Sequence, residues 1–101
     1  MIVERLVIRA KFGQGDVVAA AFKEAERMWF ERFGLKCRTL VDLTGPMFTV
    51  VAENEYRDMA HLAEMQALEQ QMYGEPEFQT WFASWSAATE SATRELYQVV
   101  E

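Results

Sequence analysis

Hydrophobic and charged residues alternate over the first part of the chain. Ile2, Leu6 and Ile8 share one side of an extended segment that reaches Phe12, while arginines and a lysine lie on the other side. Alternation with a period of two predicts a half-buried strand over residues 2–12. Valines also lie on the charged side, so we expect that face to be amphipathic instead of fully solvated.

The spacing of apolar residues changes to three or four positions after Val17 and continues in that way to Phe33. This spacing, together with several alanines, predicts an amphipathic helix. Asp16 has a short acceptor side chain and is the predicted N-cap. Gly34 follows the last apolar position, so we expect it to end the helix in the left-handed conformation.

Two β-rich segments in the middle of the chain predict a hairpin. The first covers residues 36–43, the second covers residues 47–52, and Thr44-Gly45-Pro46 separates them. A short connection that contains glycine between two such segments is typical of antiparallel strands.

The second half of the chain predicts helices followed by a last strand. Asn54 is the predicted N-cap of a second long helix, and Gly74 is its predicted end. Pro76 begins a further helical segment, because proline suits the first turn of a helix. Residues 86–93 are small and polar and are expected to form a loop, and residues 94–100 are expected to form the last strand.

The complete order of elements is strand, helix, strand, strand, helix, strand. This order predicts an α+β, ferredoxin-like βαββαβ fold with a four-stranded antiparallel sheet, as a single domain over residues 1–101. Both long helices are expected on one face of the sheet, which leaves the other face bare. Because monomers seldom expose a large apolar patch, we expect two copies to join through that face as a homodimer.

The composition excludes several classes of function. The chain has 101 residues and a net charge of −6, without the basic stripe that nucleic-acid-binding modules carry. The single cysteine excludes an internal disulfide, and no cysteine–histidine cluster indicates a metal site, so we expect no metal and no cofactor. No apolar segment approaches the roughly 18 residues of a membrane helix. We therefore expect a soluble, cytoplasmic protein without nucleic-acid or membrane partners.

Within this order of elements, two segments near the C-terminus resemble the dimeric α+β barrel superfamily. They are Phe78-x-x-Trp81-Phe82 and Arg94-Glu95-Leu96-Tyr97. The chain looks most like the small NIPSNAP-type and antibiotic-biosynthesis-monooxygenase-type members. That superfamily includes cofactor-free quinol and aromatic-polyketide monooxygenases, lactone isomerases and haem enzymes. The resemblance therefore implies a dimeric α+β barrel, and it implies no single reaction.

His61 is the only histidine and is the candidate catalytic acid or base, because imidazole titrates near neutral pH. The direction of its side chain depends on one residue of helical register. A ring that points into the gap between helix and sheet would serve a ligand or a haem. A solvent-facing or structural histidine is the alternative.

Aromatic residues of the second half are the candidate walls of an apolar ligand site. The predicted ligand-binding residues are Tyr56, Trp81, Trp85, Arg94 and Tyr97. Ligand pockets are mostly apolar and contain a few fixed polar groups, which fits this set. The alternative is that the aromatic side chains fill the end of the core.

Other reactive or charged residues have simpler interpretations. Arg5, Arg9 and Arg38 are expected to form ion pairs in the dimer interface, with capture of an acidic ligand as the alternative. Cys37 lies among β-forming residues and is expected to be a small buried hydrophobe. Glu69 is expected on the solvated surface of the second helix.

These patterns together predict a homodimer that binds a small apolar or aromatic molecule in a cleft between the sheet and the helices. If the protein is an enzyme, the resemblance implies cofactor-free oxygenation or isomerisation. The alternative is a non-catalytic dimerisation or protein-interaction module.

Overall fold

A computed structural model describes all 101 residues and confirms the ferredoxin-like α+β fold. The element order is β1 (Ile2–Ala10), α1 (Gly15–Phe33), β2 (Cys37–Val41), β3 (Thr49–Tyr56), α2 (Met59–Met72), α3 (Pro76–Ser86) and β4 (Thr89–Gln98). The second helical segment of the predicted order is therefore two helices, because Pro76 starts a new helix after the end of α2.

The four strands form one antiparallel sheet in the order β2-β3-β1-β4. Ile8 of β1 lies opposite Val50 of β3 and opposite Ala92 of β4, so β1 is paired on both sides. β2 pairs with β3 over Cys37–Val41, which confirms the predicted antiparallel pair. Residues 42–48 connect these two strands. At this connection β2 ends earlier than the predicted segment 36–43, and β3 begins later than the predicted segment 47–52.

The prediction that α1 ends at Gly34 is confirmed, and the prediction of its N-cap is wrong. Gly34 has a φ of 64°, and its backbone N–H donates to the carbonyl of Phe30. The N-cap is Gln14, while Asp16 lies in the first helical turn. A carboxylate in the first turn stabilises the helix by interacting with the helix dipole. Asp16 therefore favours the start of the helix, although it lies two residues after the N-cap.

The predicted N-cap at Asn54 is also wrong, because β3 continues to Tyr56. Asn54 lies opposite Glu4 in the register of β1 and β3. Its side-chain amide donates to a carboxylate oxygen of Glu4 over 3.0 Å. Pairing with β1 thus overrides the local capping preference of asparagine. Asp58 is the actual N-cap of α2, and its carboxylate accepts from the backbone N–H of His61.

Two further predictions for the second half are wrong. The C-cap of α2 is Tyr73 in the right-handed conformation, and Gly74 has no positive φ. The predicted loop over residues 86–93 is limited to Ala87 and Ala88, because α3 ends at Ser86 and β4 already begins at Thr89, where it pairs with Ala10. β4 is an edge strand with mostly exposed side chains, where hydrogen bonding to β1 holds small polar residues in a strand.

The sheet has two unlike faces, which we call the inner face and the outer face. All helices pack on the inner face, which carries the even-numbered residues of β1, including Ile2, Glu4 and Ile8. The outer face carries the odd-numbered residues of β1 and their neighbours, and no element covers it. The molecule is accordingly a flat slab with extents of 37 × 37 × 19 Å.

The core lies between the inner face and the helices, in two clusters. One is centred on Ile8, Phe22 and Val50, and the other on Leu35 and Tyr56. No helix combines the length and the apolar character that crossing a membrane requires.

Candidate functional site

A cavity of about 600 Å³ lies between the inner face and the three helices. Side chains of β1, β2, β3 and β4 form its floor, and those of α1, the end of α2 and α3 form its roof. The inner-face residues Ala92 and Arg94 of β4 line it and are exposed, as is Phe82 of α3. The cavity therefore opens to solvent between β4 and α3.

The roof is a continuous group of aromatic rings. Trp81 is its centre, with ring centroids 5.2 Å from Trp29, 5.4 Å from Phe78 and 5.6 Å from Trp85. Phe22 lies 5.0 Å from Trp85 and joins the rings to the core. Aromatic pairs at these separations stabilise one another beyond simple burial, so the roof is a stable wall. All three tryptophans of the chain line the cavity.

The three indole N–H groups differ in their partners. Trp81 Nε1 donates to the carbonyl of Ala21 over 2.6 Å, and Trp29 Nε1 donates to Glu69 Oε1 over 3.1 Å. Trp85 Nε1 is buried without any partner, and so is the hydroxyl of Thr39 on the floor. Buried polar groups are nearly always hydrogen-bonded, so these two atoms are exceptions. Their residues line the cavity, but the two polar atoms themselves are not exposed to it.

Glu4 is a buried charged residue on the floor of the cavity, with 5% of its surface exposed. Asn54 donates to one of its carboxylate oxygens, and Arg94 Nε lies 3.5 Å from the other. The arginine side chain remains 58% exposed at the cavity opening. Glu4 thus has both a hydrogen-bond donor and a countercharge.

Glu69 lies in the roof and is half-buried, so the expectation of a solvated side chain is wrong. Burial raises the pKa of its carboxyl above the ordinary value, and the charge of Glu4 adds to this effect. The hydrogen bond from Trp29 and the charge of Arg94 lower the pKa in part. No lysine, arginine or histidine forms an ion pair with Glu69. Its carboxylate therefore lacks the countercharge that Glu4 has.

The cavity carboxylates also affect neighbouring groups. Burial raises the pKa of Cys37 to about 12, and the charges of Glu26, Glu69 and Glu4 contribute. The pKa of Tyr73 is raised first by burial and then by Glu69. The negative potential of the cavity thus opposes a further anion, and the thiol of Cys37 stays protonated at neutral pH.

Three of the sequence-predicted site residues line this cavity, and three do not. Trp81 and Trp85 belong to its roof, and Arg94 lies at its opening. Tyr56 is buried in the second core cluster, where burial raises its pKa and Glu4 adds to the effect. Tyr97 lies opposite Val3 and therefore belongs to the outer face.

His61 is also outside the cavity, on the first turn of α2. Its ring Nδ1 accepts a hydrogen bond from the backbone N–H of Arg57 over 3.0 Å, while the backbone N–H of His61 donates to the carboxylate of Asp58. This reciprocal pair resembles a capping box, in which a side chain three positions into the helix bonds back toward the cap. The geometry gives His61 a structural task at the helix start, and its catalytic role stays a prediction.

Sequence reasoning missed Glu4, Trp29 and Glu69 as site residues. Glu4 shares the even-numbered positions of β1 with the apolar residues, so the alternation itself indicated a carboxylate on the buried face. Trp29 lies on the apolar side of α1 and looked like core. The position of Glu69 has no comparable signal, because α2 contacts the sheet only in part and its buried side is narrow.

Arg5 and Arg38 form ion pairs on the outer face, and the place of these pairs in a dimer interface stays a prediction. Both guanidinium groups contact Glu53, at 3.0 Å for Arg5 Nε and 2.6 Å for Arg38 Nε. Arg9 forms no ion pair, and Glu4 pairs on the opposite face of the sheet. No group of three or more histidine, cysteine or acidic residues is placed to hold a metal ion.

Solved structures of similar fold cover nearly the whole chain. A NIPSNAP domain protein from Burkholderia xenovorans has a TM-score of 0.79 at 17% identity, with 99% of this chain and 95% of that chain covered. A NIPSNAP family protein from Agrobacterium tumefaciens has a TM-score of 0.78 at 19% identity, with 99% and 93% covered. A Nitrosomonas europaea protein, provisionally described as an antibiotic biosynthesis monooxygenase, has a TM-score of 0.72 at 14% identity, with 100% of both chains covered.

These structures confirm the resemblance at the level of the fold. No protein-family model matches the chain, and no curated protein matches its sequence. The structural neighbours are thus NIPSNAP-type and antibiotic-biosynthesis-monooxygenase-type proteins with a ferredoxin-like α+β fold. At these identities the likeness carries no activity from one protein to another.

Proposed function

We propose that the protein binds a small, largely aromatic molecule in the cavity between the inner face and the helices. The observation that carries this proposal is the continuous aromatic roof over a cavity that opens to solvent between β4 and α3. A cavity of about 600 Å³ is within the size range of small-molecule sites. A flat ligand would stack on the roof.

The binding test uses naphthalenemethanol as a neutral aromatic probe, with titration calorimetry and quenching of tryptophan fluorescence as two readouts. Because every tryptophan lines the cavity, we expect both readouts to saturate at the same probe concentration. Ala92→Phe places a ring in the cavity opening and is expected to weaken binding about tenfold or more. Ala83→Phe adds the same ring to an exposed position of α3 outside the cavity and is the matched control.

Binding that is absent in the wild type, or that Ala92→Phe and Ala83→Phe leave equally strong, would show that the cavity is not the ligand site.

The activity proposed for this site is a cofactor-free oxygenation or isomerisation, in keeping with the monooxygenase-type structural neighbours. Such a reaction starts with removal of a proton from the substrate, so it requires a base at the ligand. Glu69 meets that requirement by position, since its carboxyl is in the cavity and burial raises its pKa. His61 is the second base to test, although it lies outside the cavity.

Oxygen uptake with naphthohydroquinone as substrate distinguishes these two bases. We expect uptake above the rate of autoxidation, a loss of about a hundredfold in Glu69→Gln, and a nearly unchanged rate in His61→Gln. The reverse order would assign catalysis to His61. Probe binding without any uptake above autoxidation would reject the enzymatic part of the proposal and leave a binding protein.

We also propose that the protein is a homodimer joined through the outer face. That face carries apolar side chains from every strand: Val3, Val7, Leu40, Val51 and Tyr97. It also carries both signs of charge, so it can complement itself across a twofold axis. With lateral extents of 37 × 37 Å it is wide enough for the roughly 800 Å² per partner of a stable interface.

Light scattering tests the assembly. At micromolar concentration we expect twice the 11.7 kDa chain mass for the wild type. Val51→Asp places a charge opposite Val7 at the middle of the outer face and is expected to give monomers. Val17→Asp, on the exposed first turn of α1, is the matched control and should stay dimeric. A wild-type monomer would contradict the dimer.

The second candidate function is a non-catalytic dimerisation module. The outer face favours it, because its apolar and charged residues lie on the side of the sheet away from the cavity. A dimer that binds none of the aromatic probes would support this candidate over the ligand-binding protein.

A further inference from the structure

We infer that the ligand of this cavity carries a cationic group, such as a protonated amine, on its aromatic body, and that Glu69 is the countercharge. This inference rests on the ligand-binding part of the proposed function and names the chemical class of the ligand. It replaces the role of Glu69 as a base, because a carboxylate that pairs with an ammonium group does not remove a proton from the substrate. The cationic end of the ligand meets the roof near α2, and the aromatic remainder of the ligand stacks on the rings of the roof.

The first reason is that Glu69 is half-buried and has no cationic partner. Trp29 Nε1 satisfies Oε1 of the carboxylate, and no hydrogen bond within the protein reaches Oε2. A partly desolvated carboxylate is costly unless a countercharge accompanies it. Glu4 shows the contrast inside the same cavity, because Asn54 and Arg94 already meet both of its oxygens.

The second reason is that Glu69 shares the roof of the cavity with aromatic rings. Trp29 donates to the carboxylate directly, and its ring lies 6.3 Å from Phe78. Tyr73 lies one helical turn after Glu69, and its ring centroid is 4.8 Å from that of Phe78. The negative faces of such rings attract cations, so the rings and the carboxylate favour the same kind of group.

The third reason is the sign of the potential in the cavity. Glu4, Glu26 and Glu69 line it, and the charges of all three raise the pKa of Cys37. Arg94 pairs with Glu4 and Lys23 pairs with Glu26, so Glu69 is the cavity carboxylate without an ion pair. Arg38, the other basic lining residue, pairs with Glu53 on the outer face. This negative potential would repel an anionic ligand and attract a cationic ligand.

The test compares three probes with the same ring system and different charges: naphthylmethylamine, naphthalenemethanol and naphthoate. Affinities are measured by titration calorimetry at neutral pH and low salt. We expect the amine to bind about ten to a hundred times more tightly than the alcohol, since it makes a charge-assisted hydrogen bond to Glu69. Naphthoate is expected to bind more weakly than the alcohol.

Two variants assign the preference to one residue. Glu69→Gln keeps an acceptor for Trp29 and removes the charge, so the preference for the amine over the alcohol is expected to fall to about twofold or less. Glu64→Gln changes an exposed carboxylate on the same helix, outside the cavity, and is expected to keep the full preference.

The outcomes separate this inference from the proposed function. If all three probes bind equally, or naphthoate binds best, the cavity is a ligand site and the inference is overturned. A preference for the amine that survives in Glu69→Gln also overturns it, because another group is then the countercharge. If none of the probes binds, the proposed ligand site itself is contradicted.

Discussion

Charged residues have different ion-pair partners and different burial on the two faces of the sheet, as Glu4 and Glu53 show. The two glutamates lie in the centre of the sheet, one residue apart in the register, because Glu4 faces Asn54 and Arg5 faces Glu53. Glu53 is on the outer face and is held between two arginines. Glu4 is on the inner face, buried under helices, with one partly exposed arginine at the cavity opening.

The side of the strand, more than the residue type, decides which partners a carboxylate has. On the outer face, Glu53 pairs with two arginines, and apolar residues lie between such charged side chains. On the inner face, Glu4 pairs with Arg94, whereas Glu69 of the roof lies beside aromatic rings without an ion pair.

The strongest test of the difference substitutes two neighbouring residues of β1. Ile8→Ala removes a fully buried inner-face side chain and is expected to cost about 2–5 kcal/mol of unfolding free energy. Val7→Ala, on the outer face, is expected to cost about 1 kcal/mol or less in the same measurement. Denaturant titration followed by circular dichroism at high dilution, which separates folding from dimerisation, gives both values. Equal costs would contradict the distinction between a packed and a bare face.

The reactivity of Cys37 tests how far the inner face is desolvated. With a pKa of about 12, the thiol provides little thiolate for alkylation. We expect reaction with iodoacetamide at mildly alkaline pH to be about a hundredfold slower than in the urea-unfolded chain, after allowing for the greater nucleophilicity of a more basic thiolate. A Cys37→Ala/Leu43→Cys variant carries a fully exposed thiol and should react at nearly the unfolded rate. Rapid alkylation of native Cys37 would show an inner face open to water.

The pH dependence of stability tests the uncompensated charge of Glu69. Its pKa is raised in the folded protein, so above the ordinary glutamate pKa of about 4.3 the folded state binds more protons than the unfolded chain. Stability from this group is present in acid and is lost as pH rises through the folded pKa. Glu69→Gln is therefore expected to be more stable than the wild type at about pH 7 and nearly equal to it at about pH 4. A stability difference between Glu69→Gln and the wild type that does not change with pH would refute the assignment.

The smallest expected effect concerns the ion pairs of the outer face. Glu53→Gln releases Arg5 and Arg38, and partly exposed pairs contribute only about 0.2–1 kcal/mol each. We expect little change in unfolding free energy and a measurable weakening of the dimer, greatest at low salt, in sedimentation equilibrium. A large loss of fold stability with an unchanged dimer would reverse the roles of the two faces.

Much of the fold was predictable because local patterns agreed with the tertiary structure. The alternation in β1, the helical spacing that ends at Gly34, and the restart at Pro76 each follow from side-chain periodicity or backbone chemistry. The errors lie where pairing overruled local preference. Asn54 lies in a strand because β3 pairs with β1 at this position, and residues 89–93 lie in a strand because they pair with β1 as well.

The candidate site was predictable only in part. Trp81 and Trp85 were identified by their aromatic density, and Arg94 by its place in the resemblance. The titration range of histidine makes His61 a candidate, but it says nothing about where α2 places the side chain. The sequence pattern indicates a surface carboxylate at Glu69, whereas in the structure this side chain meets Trp29.

The sequence by itself determined the order of the elements, the two sides of the first strand and the presence of one bare sheet face. Those properties depend on periods of two and of about 3.6 residues, which are local and can be read along the chain. The tertiary structure alone decided that α1, α2 and α3 leave a cavity over the inner face, with Glu69 beside Trp29. That arrangement depends on how helices far apart in the chain pack across the sheet, and no local pattern contains it.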